Sequence, residues 1–234
     1  MYAIGDIHGR RDLLERLETA VAEDLSRAHR LLRPIVVYLG DYVDRGSGSR
    51  QVLDHLVRNE ILEGMPRVLL RGNHDLWFRE FLRGAPVGES WLQFGGEATL
   101  ASYGVALDAK LAPGQRLARA AEQLADRVPA AHRRLLDRLE AAFGLGDYFF
   151  CHAGIRPGVP LARQSEEDLF WIREPFLSWS GDAEKIVVHG HTIGQQPQIR
   201  RNRIGIDTGA YSTGVLTCLV LEGTEIRFLA TAPD

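Results

Sequence analysis

The sequence predicts an α/β protein, and two observations carry the prediction. Short apolar runs alternate with helical patterns along the first third of the chain, and a glycine-flanked polar motif stands where each run ends. Residues 2–4 read as a first strand. They are followed, within 11–32, by Leu13, Leu14, Leu17, Val21 and Leu25 at helical spacing. A second strand over 35–39 ends in Gly40-Asp41, residues 49–62 repeat the helical pattern, and a third strand over 67–70 ends at Gly72-Asn73-His74-Asp75. Such βαβ alternation gathers ligand-binding residues at the carboxyl ends of parallel strands.

Residues 76–146 read as mainly helical, interrupted at Gly95-Gly96, with Pro129 opening a helix over 130–143. None of the polar motifs falls in this stretch, so it is either an insertion capping the site or a helical layer of the core. Beyond it, residues 148–151 form a strand ending in His152-Ala153-Gly154, and 186–188 one ending in His189-Gly190-His191. Closing strands are expected at 203–206, 215–221 and 225–229, the last two joined through Gly223-Thr224 as a hairpin. No repeat or linker divides the chain, and a single domain over 1–234 is expected.

Composition narrows the function classes. With 45% hydrophobic and 25% charged residues the chain can bury a sizeable core. A formal net charge of -3 supplies no basic excess for tracking a phosphate backbone or an anionic surface, so neither nucleic acid nor membrane is an expected partner. Lysine occurs only at Lys110 and Lys185, and the arginines are spread along polar helix faces rather than gathered in a patch. The first residues run straight into a motif with no room for a signal peptide, and no apolar run approaches the ~20 residues of a membrane span. Cys151 and Cys218 lie in apolar runs and read as buried thiols rather than a disulfide. A cytoplasmic location is the expectation.

In chain order the strand-end polar residues are Asp6, His8, Asp41, Asn73, His74, His152 and His191. Carboxylate, imidazole and amide-oxygen donors without thiolates suit divalent manganese, iron or zinc, and seven groups exceed the needs of one tetrahedral ion. Two ions sharing a bridging carboxylate fit better. Five of the eight histidines lie in these motifs, whereas His29, His55 and His132 fall in helical patterns beside arginines and read as surface or boundary residues.

Gly5-Asp6-Ile7-His8-Gly9, Gly40-Asp41-Tyr42-Val43-Asp44-Arg45-Gly46, Arg71-Gly72-Asn73-His74-Asp75, His152-Ala153-Gly154 and Gly190-His191 together resemble the calcineurin-like metallophosphoesterases. Within them the chain looks like the phosphoprotein phosphatase branch in its bacterial and phage form. Phe170-Trp171-Ile172-Arg173 and Ile206-Asp207-Thr208-Gly209-Ala210 extend the likeness over nearly the whole chain. The resemblance implies a central β-sandwich of two mixed sheets flanked by helices, and two divalent ions, manganese first, with iron or zinc compatible. By motif, Asp6, His8 and a bridging Asp41 would hold one ion, and Asp41, Asn73, His152 and His191 the other. His74 would donate a proton to the leaving group, oriented by Asp44, while Arg45 and Arg173 would grip the phosphoryl oxygens. His189 and Asp207 match no ligand position and read as supporting residues. Arg10 and Arg71 either touch phosphate or serve an exposed structural role.

The implied activity is metal-dependent phosphomonoester hydrolysis, as a serine/threonine protein phosphatase acting on a phosphorylated protein or peptide, or on a small phosphate ester. A rival is the symmetrical dinucleoside polyphosphate hydrolases, which share the metal motifs and have aspartate, as at Asp75, where protein phosphatases commonly carry glutamate. Asp44-Arg45 follows the phosphatase form. A nuclease would need a basic groove. A non-catalytic metal-binding scaffold would have shed ligands, and this chain retains the full set.

Overall fold

A computed structural model describes residues 1–27 and 33–232. The end of the first predicted helix and His29 lie outside the described residues. Two five-stranded mixed sheets face one another. The first contains β1 (Tyr2–Ile4), β2 (Val36–Tyr38), β3 (Arg67–Leu69), β9 (Thr217–Glu222) and β10 (Glu225–Ala230) in the order β10-β9-β1-β2-β3. The second contains β4 (Ala142–Leu145), β5 (Tyr148–Cys151), β6 (Ile186–His189), β7 (Gln198–Ile199) and β8 (Arg203–Gly205) in the order β4-β5-β6-β8-β7. In each sheet three neighbouring strands run parallel, β1-β2-β3 and β5-β6-β8.

Alternation along the strands explains why both sheets are covered on two sides. In β1, β2 and β9, Tyr2, Ile4, Val36, Tyr38, Cys218 and Val220 face the helices, while Ala3, Val37, Leu219 and Leu221 face the other sheet. Phe150, Val188, Ile204 and Ile206 meet them from the second sheet, whose outer face buries Phe149, Cys151 and Val187 under Leu169, Phe170 and Phe176. Cys151 and Cys218 are buried and unpaired.

The helices on the first sheet are α1 (Arg11–Arg27), α2 (Ser49–Arg58), α3 (Asn73–Leu82), α4 (Gly88–Trp91), α5 (Glu97–Ser102), α6 (Pro113–Arg127) and α7 (Ala130–Arg138). Two further helices are α8 (Glu166–Trp171), beside the second sheet, and α9 (Ala210–Thr213). A widened π-turn, Leu92–Gly96, joins α4 to α5 and contains Gly95 at φ 107°. Helix α2 stops before the predicted 62 because Asn59 takes a left-handed conformation, φ 53°, and its N–H caps the His55 carbonyl.

The predicted helix over 130–143 ends early, at Arg138. Residues 142–145 pair with β5 instead, Leu145 opposite Tyr148 across a two-residue Gly146-Asp147 turn. Gly144 and Gly146 disfavour helix, and a Gly-Asp pair between apolar runs is a hairpin signal. His55 and His132 correct a second expectation: both are buried. The His55 Nε2 lies 2.7 Å from Glu18 Oε2, and His132 sits between the Tyr103 hydroxyl at 2.8 Å and Asp54 Oδ1 at 3.0 Å.

Candidate metal centre and phosphate site

The six parallel strands end at one edge of the sandwich, and that edge collects the polar motifs. Asp6 and His8 follow β1, Asp41 follows β2, Asn73 and His74 follow β3, His152 follows β5, His191 follows β6 and Asp207 follows β8. All eight are buried. Nitrogen and carboxylate oxygen atoms of His8, Asp41 and His74 lie within 4.8 Å of one another, as do those of Asp41, His152 and His191. Asp41 is common to both groups.

Backbone conformation aims these side chains. Among the described residues six non-glycine residues have positive φ, and five of them, His8, Asp41, Asp44, Arg45 and His191, belong to this edge. Sparsely populated conformations persist only where surrounding contacts over-determine them, and they concentrate at functional sites. Two glycines leave the required room. A Cβ on Gly72 would stand 2.0 Å from Asp41 Oδ1, and one on Gly190 would stand 1.9 Å from Asp6 Oδ1. Asp75 ties the loops together by accepting the backbone N–H groups of Asp41, Tyr42 and Gly72 at 2.7, 3.0 and 2.9 Å.

The ring tautomers leave lone pairs pointing inward. His8 Nδ1 donates to the Val43 carbonyl at 2.8 Å and His152 Nδ1 to the Leu39 carbonyl at 3.0 Å, so each neutral ring presents an unprotonated Nε2 to the centre. Burial pushes the His8 imidazole down to about 3 and also lowers His152 and His191. The His152 Nε2 lies 2.9 Å and the His191 Nδ1 3.0 Å from Asn73 Oδ1, and His8 Nε2 lies 3.4 Å from Asp41 Oδ2. Asp6 Oδ1, His8 Nε2, His191 Nε2 and Asp207 Oδ2 are buried with no hydrogen-bond partner. Burial, then the charges of Asp207 and Asp41, drive the Asp6 carboxyl far above its usual range. Converging acceptors and crowded carboxylates of this kind are the donor set a divalent cation requires.

Beside this centre stands a second constellation. His74 Nδ1 donates to Asp44 Oδ2 at 2.7 Å, and Arg45 Nη2 donates to His74 Nε2 at 3.2 Å. Burial opposes a charged His74 ring, but the charge of Asp41 and the hydrogen bond and charge of Asp44 outweigh it and raise the His74 pKa. Asp44 also accepts from Trp91 Nε1 at 2.8 Å and from the Thr99 hydroxyl at 2.6 Å. Residues 76–146 therefore carry chemistry that the motif pattern did not reveal. The same stretch is also core, through buried Leu100, Tyr103, Leu124 and Leu136.

A model of the family described as calcineurin-like phosphoesterase matches residues 1–207. The chain belongs to that family. This phosphoesterase is 29% identical over 240 residues to a bis(5'-nucleosyl)-tetraphosphatase of asymmetrical type, PrpE, from Anoxybacillus flavithermus (strain DSM 21510 / WK1), covering 92% of this chain and 88% of the relative. Among solved structures, a protein put forward as a diadenosine tetraphosphatase superposes with a TM-score of 0.62 at 24% identity, over 98% of this chain and 92% of the other. A cold-active protein-tyrosine phosphatase of a psychrophilic Shewanella gives 0.58 at 15%, over 97% and 76%. A serine/threonine phosphatase from Saccharomyces cerevisiae gives 0.54 at 13%, over 100% and 81%. These likenesses establish the two-sheet architecture. Among the described residues no helix is long and apolar enough to cross a membrane.

The other residues singled out in the sequence differ in what they touch. Arg173, exposed just after α8, adds to the burial that depresses His152 and His191. Arg10 grips Asp12 through both guanidinium arms and the Ala210 carbonyl at 3.1 Å. Arg71 is buried rather than exposed, and donates to the Leu139 carbonyl at 2.9 Å. His189 packs on Phe176, 5.1 Å between rings, with Nδ1 3.0 Å from the Gly190 carbonyl. Asp207 accepts the Gly209 N–H at 2.9 Å through its other oxygen. Sequence reading missed an aromatic wall. Trp77 stands edge-on to His74 at 5.7 Å and meets Phe94 at 5.3 Å and Trp171 at 4.6 Å, while Tyr211 lies under the Arg45 guanidinium at 4.9 Å.

Proposed function

We propose that this phosphoesterase is a serine/threonine protein phosphatase that cleaves phosphomonoesters with water activated at a dinuclear metal centre. Asp6, His8 and Asp41 would hold one ion, and Asp41, Asn73, His152 and His191 the other, with manganese, iron and zinc all compatible with the donors. Two such ions lower the pKa of a water and neutralise phosphoryl oxygens.

The observation that carries the reading is the Asp44–His74–Arg45 row, in which Asp44 and His74 are buried and Arg45 is partly exposed. A serine or threonine alkoxide is a poor leaving group and needs a proton as the P–O bond breaks. Asp44 keeps the Nδ1 proton of His74 in place and favours the charged ring, so Nε2 is the atom that delivers it. A substrate phosphoryl group draws the Arg45 guanidinium onto its own oxygens and away from Nε2, which is thereby free to carry the proton. Arg173, an exposed guanidinium whose charge reaches His152, His191 and Asp207, would supply a second planar donor.

A dinucleoside polyphosphate hydrolase is the second reading, favoured by the aromatic wall of Trp77, Phe94 and Trp171, which offers planar faces to a nucleobase. Its leaving group, a nucleoside phosphate anion, has far less need of a proton donor. Asp75 does not favour it: with all its hydrogen bonds given to backbone N–H groups, an aspartate there reflects loop spacing rather than substrate. Initial rates of the manganese-reconstituted protein on a phosphoserine peptide and on diadenosine tetraphosphate decide between the two. Faster metal-dependent peptide turnover is expected; preference for the dinucleotide would make the second reading primary, and its products would give the cleavage register.

A further inference from the structure

We infer that Trp91 and Thr99, from the helical segment that crosses over the phosphate site, are positioning residues for the proton donor His74, acting through Asp44. The inference rests on the proton-donor role proposed above for His74.

Asp44 is fully buried, and its carboxylate can only accept. One oxygen, Oδ1, takes the Thr99 hydroxyl at 2.6 Å. The other, Oδ2, takes both His74 Nδ1–H at 2.7 Å and Trp91 Nε1–H at 2.8 Å. Two of the three side-chain donors on this carboxylate thus come from α4 and α5, 47 and 55 residues along the chain. Because the Thr99 proton is committed to Asp44, the Ser49 hydroxyl, 2.9 Å from Thr99 Oγ1, is the donor between those two. The backbone N–H of Asp44 is shared by the same pair of hydroxyls at 2.9 Å each.

A second observation points the same way. Asp44 and Arg45 are consecutive non-glycine residues in the left-handed region, at φ 72° and 66°, a conformation that surrounding contacts must hold. Two of the holding contacts come from the crossing segment. Thr99 binds the Asp44 N–H, and the Gly95 carbonyl accepts the Arg45 N–H at 3.2 Å. Gly95 itself is at φ 107°, and a Cβ there would press on Arg45 Cγ at 2.9 Å, so the π-turn fits flush against the arginine backbone.

The consequence is directional. With Thr99 or Trp91 unable to donate, Asp44 gains freedom to rotate, and His74 loses its fixed bearing on the leaving oxygen. Proton donation suffers while phosphate capture and the metal ligands are untouched.

The test compares kcat and KM on an alkyl phosphate, a phosphoserine peptide, with those on 4-nitrophenyl phosphate, whose leaving group needs little protonation. Wild type, Thr99→Val, Thr99→Ser, Trp91→Phe and His74→Asn are measured with two metal equivalents verified. We expect Thr99→Val to lower kcat on the alkyl phosphate roughly 10-fold with KM unchanged and the aryl rate within about twofold. Thr99→Ser should restore the wild-type ratio. Trp91→Phe, which removes the indole N–H along with the five-membered ring and keeps an aromatic ring in the core, should move the ratio in the same direction, and it serves if Thr99→Val does not fold. Equal losses on both substrates, or no rescue by serine, would overturn the inference while His74→Asn still separates alkyl from aryl. If His74→Asn fails to separate them, the proton-donor reading falls, and the inference with it.

Discussion

The histidines at the strand ends and the two described in the helical layer are buried alike, yet their nitrogens are used differently. His55 and His132 direct both ring nitrogens at partners: His55 at Glu18 and Glu15, His132 at Tyr103 and Asp54. At the strand ends, His8 and His152 spend one nitrogen on a backbone carbonyl and turn the other, unprotonated, toward Asp41 or Asn73. Burial alone therefore does not mark a ligand. An imidazole lone pair that faces other acceptors is the arrangement a divalent cation would relieve.

The sharpest way to break this contrast is at Asp41, the carboxylate common to both clusters. We predict that Asp41→Asn lowers bound metal below two equivalents per chain and cuts phosphoester turnover roughly 100-fold or more. Elemental analysis of the purified variant checks it. Unchanged stoichiometry would mean that Asp41 does not bridge and that the inward lone pairs serve something else. A smaller effect is expected one step outside the centre. Arg45→Ala should leave metal content intact and raise the inhibition constant for inorganic phosphate about 10-fold, the equivalent of one charge-assisted hydrogen bond. If inhibition by phosphate is unaltered, Arg45 belongs to the His74 row and Tyr211 stacking rather than to substrate capture.

How much of this was legible beforehand follows from where the information is stored. The strand-end motifs are written in residue type and in local spacing, so the gathering of Asp6, His8, Asp41, Asn73, His152 and His191 at one edge could be read from the chain alone, as could the parallel strands beneath them. Trp91 and Thr99 could not. A tryptophan and a threonine in a helical pattern are ordinary core and surface residues until the fold carries them to Asp44, and nothing in a local window records a contact spanning 47 or 55 positions. The hairpin at 142–148 was misread for the opposite reason. Its Gly146-Asp147 turn was present, but the preceding apolar spacing continued the period of α7 into a segment that pairs with β5. The arginines that flank His55 and His132 suggest surface or boundary positions for both. Those arginines occupy the outer face of the same helices whose inner face buries the imidazoles.

The helical pair offers the finest discrimination, through pH. Burial lowers the His132 pKa, and the charge of Asp54 and its hydrogen bond recover only part of that loss. The folded protein thus takes up a proton at His132 less readily than the unfolded chain, whose histidines titrate near 6.5. As pH falls through that value the unfolded state binds the additional proton first, so the contribution of a neutral His132 to stability is complete above about pH 7 and fades below it. His132→Gln should cost about 1–2 kcal/mol at neutral pH through the lost Tyr103 and Asp54 contacts, with metal content unchanged. The difference in denaturation midpoint between wild type and variant, at equal metal, should then narrow between about pH 7 and pH 5. A difference that widened would mean that His132 and Asp54 form an ion pair in the folded state. In that case the helical histidines would differ from the strand-end histidines in charge as well as in the way their nitrogens are satisfied.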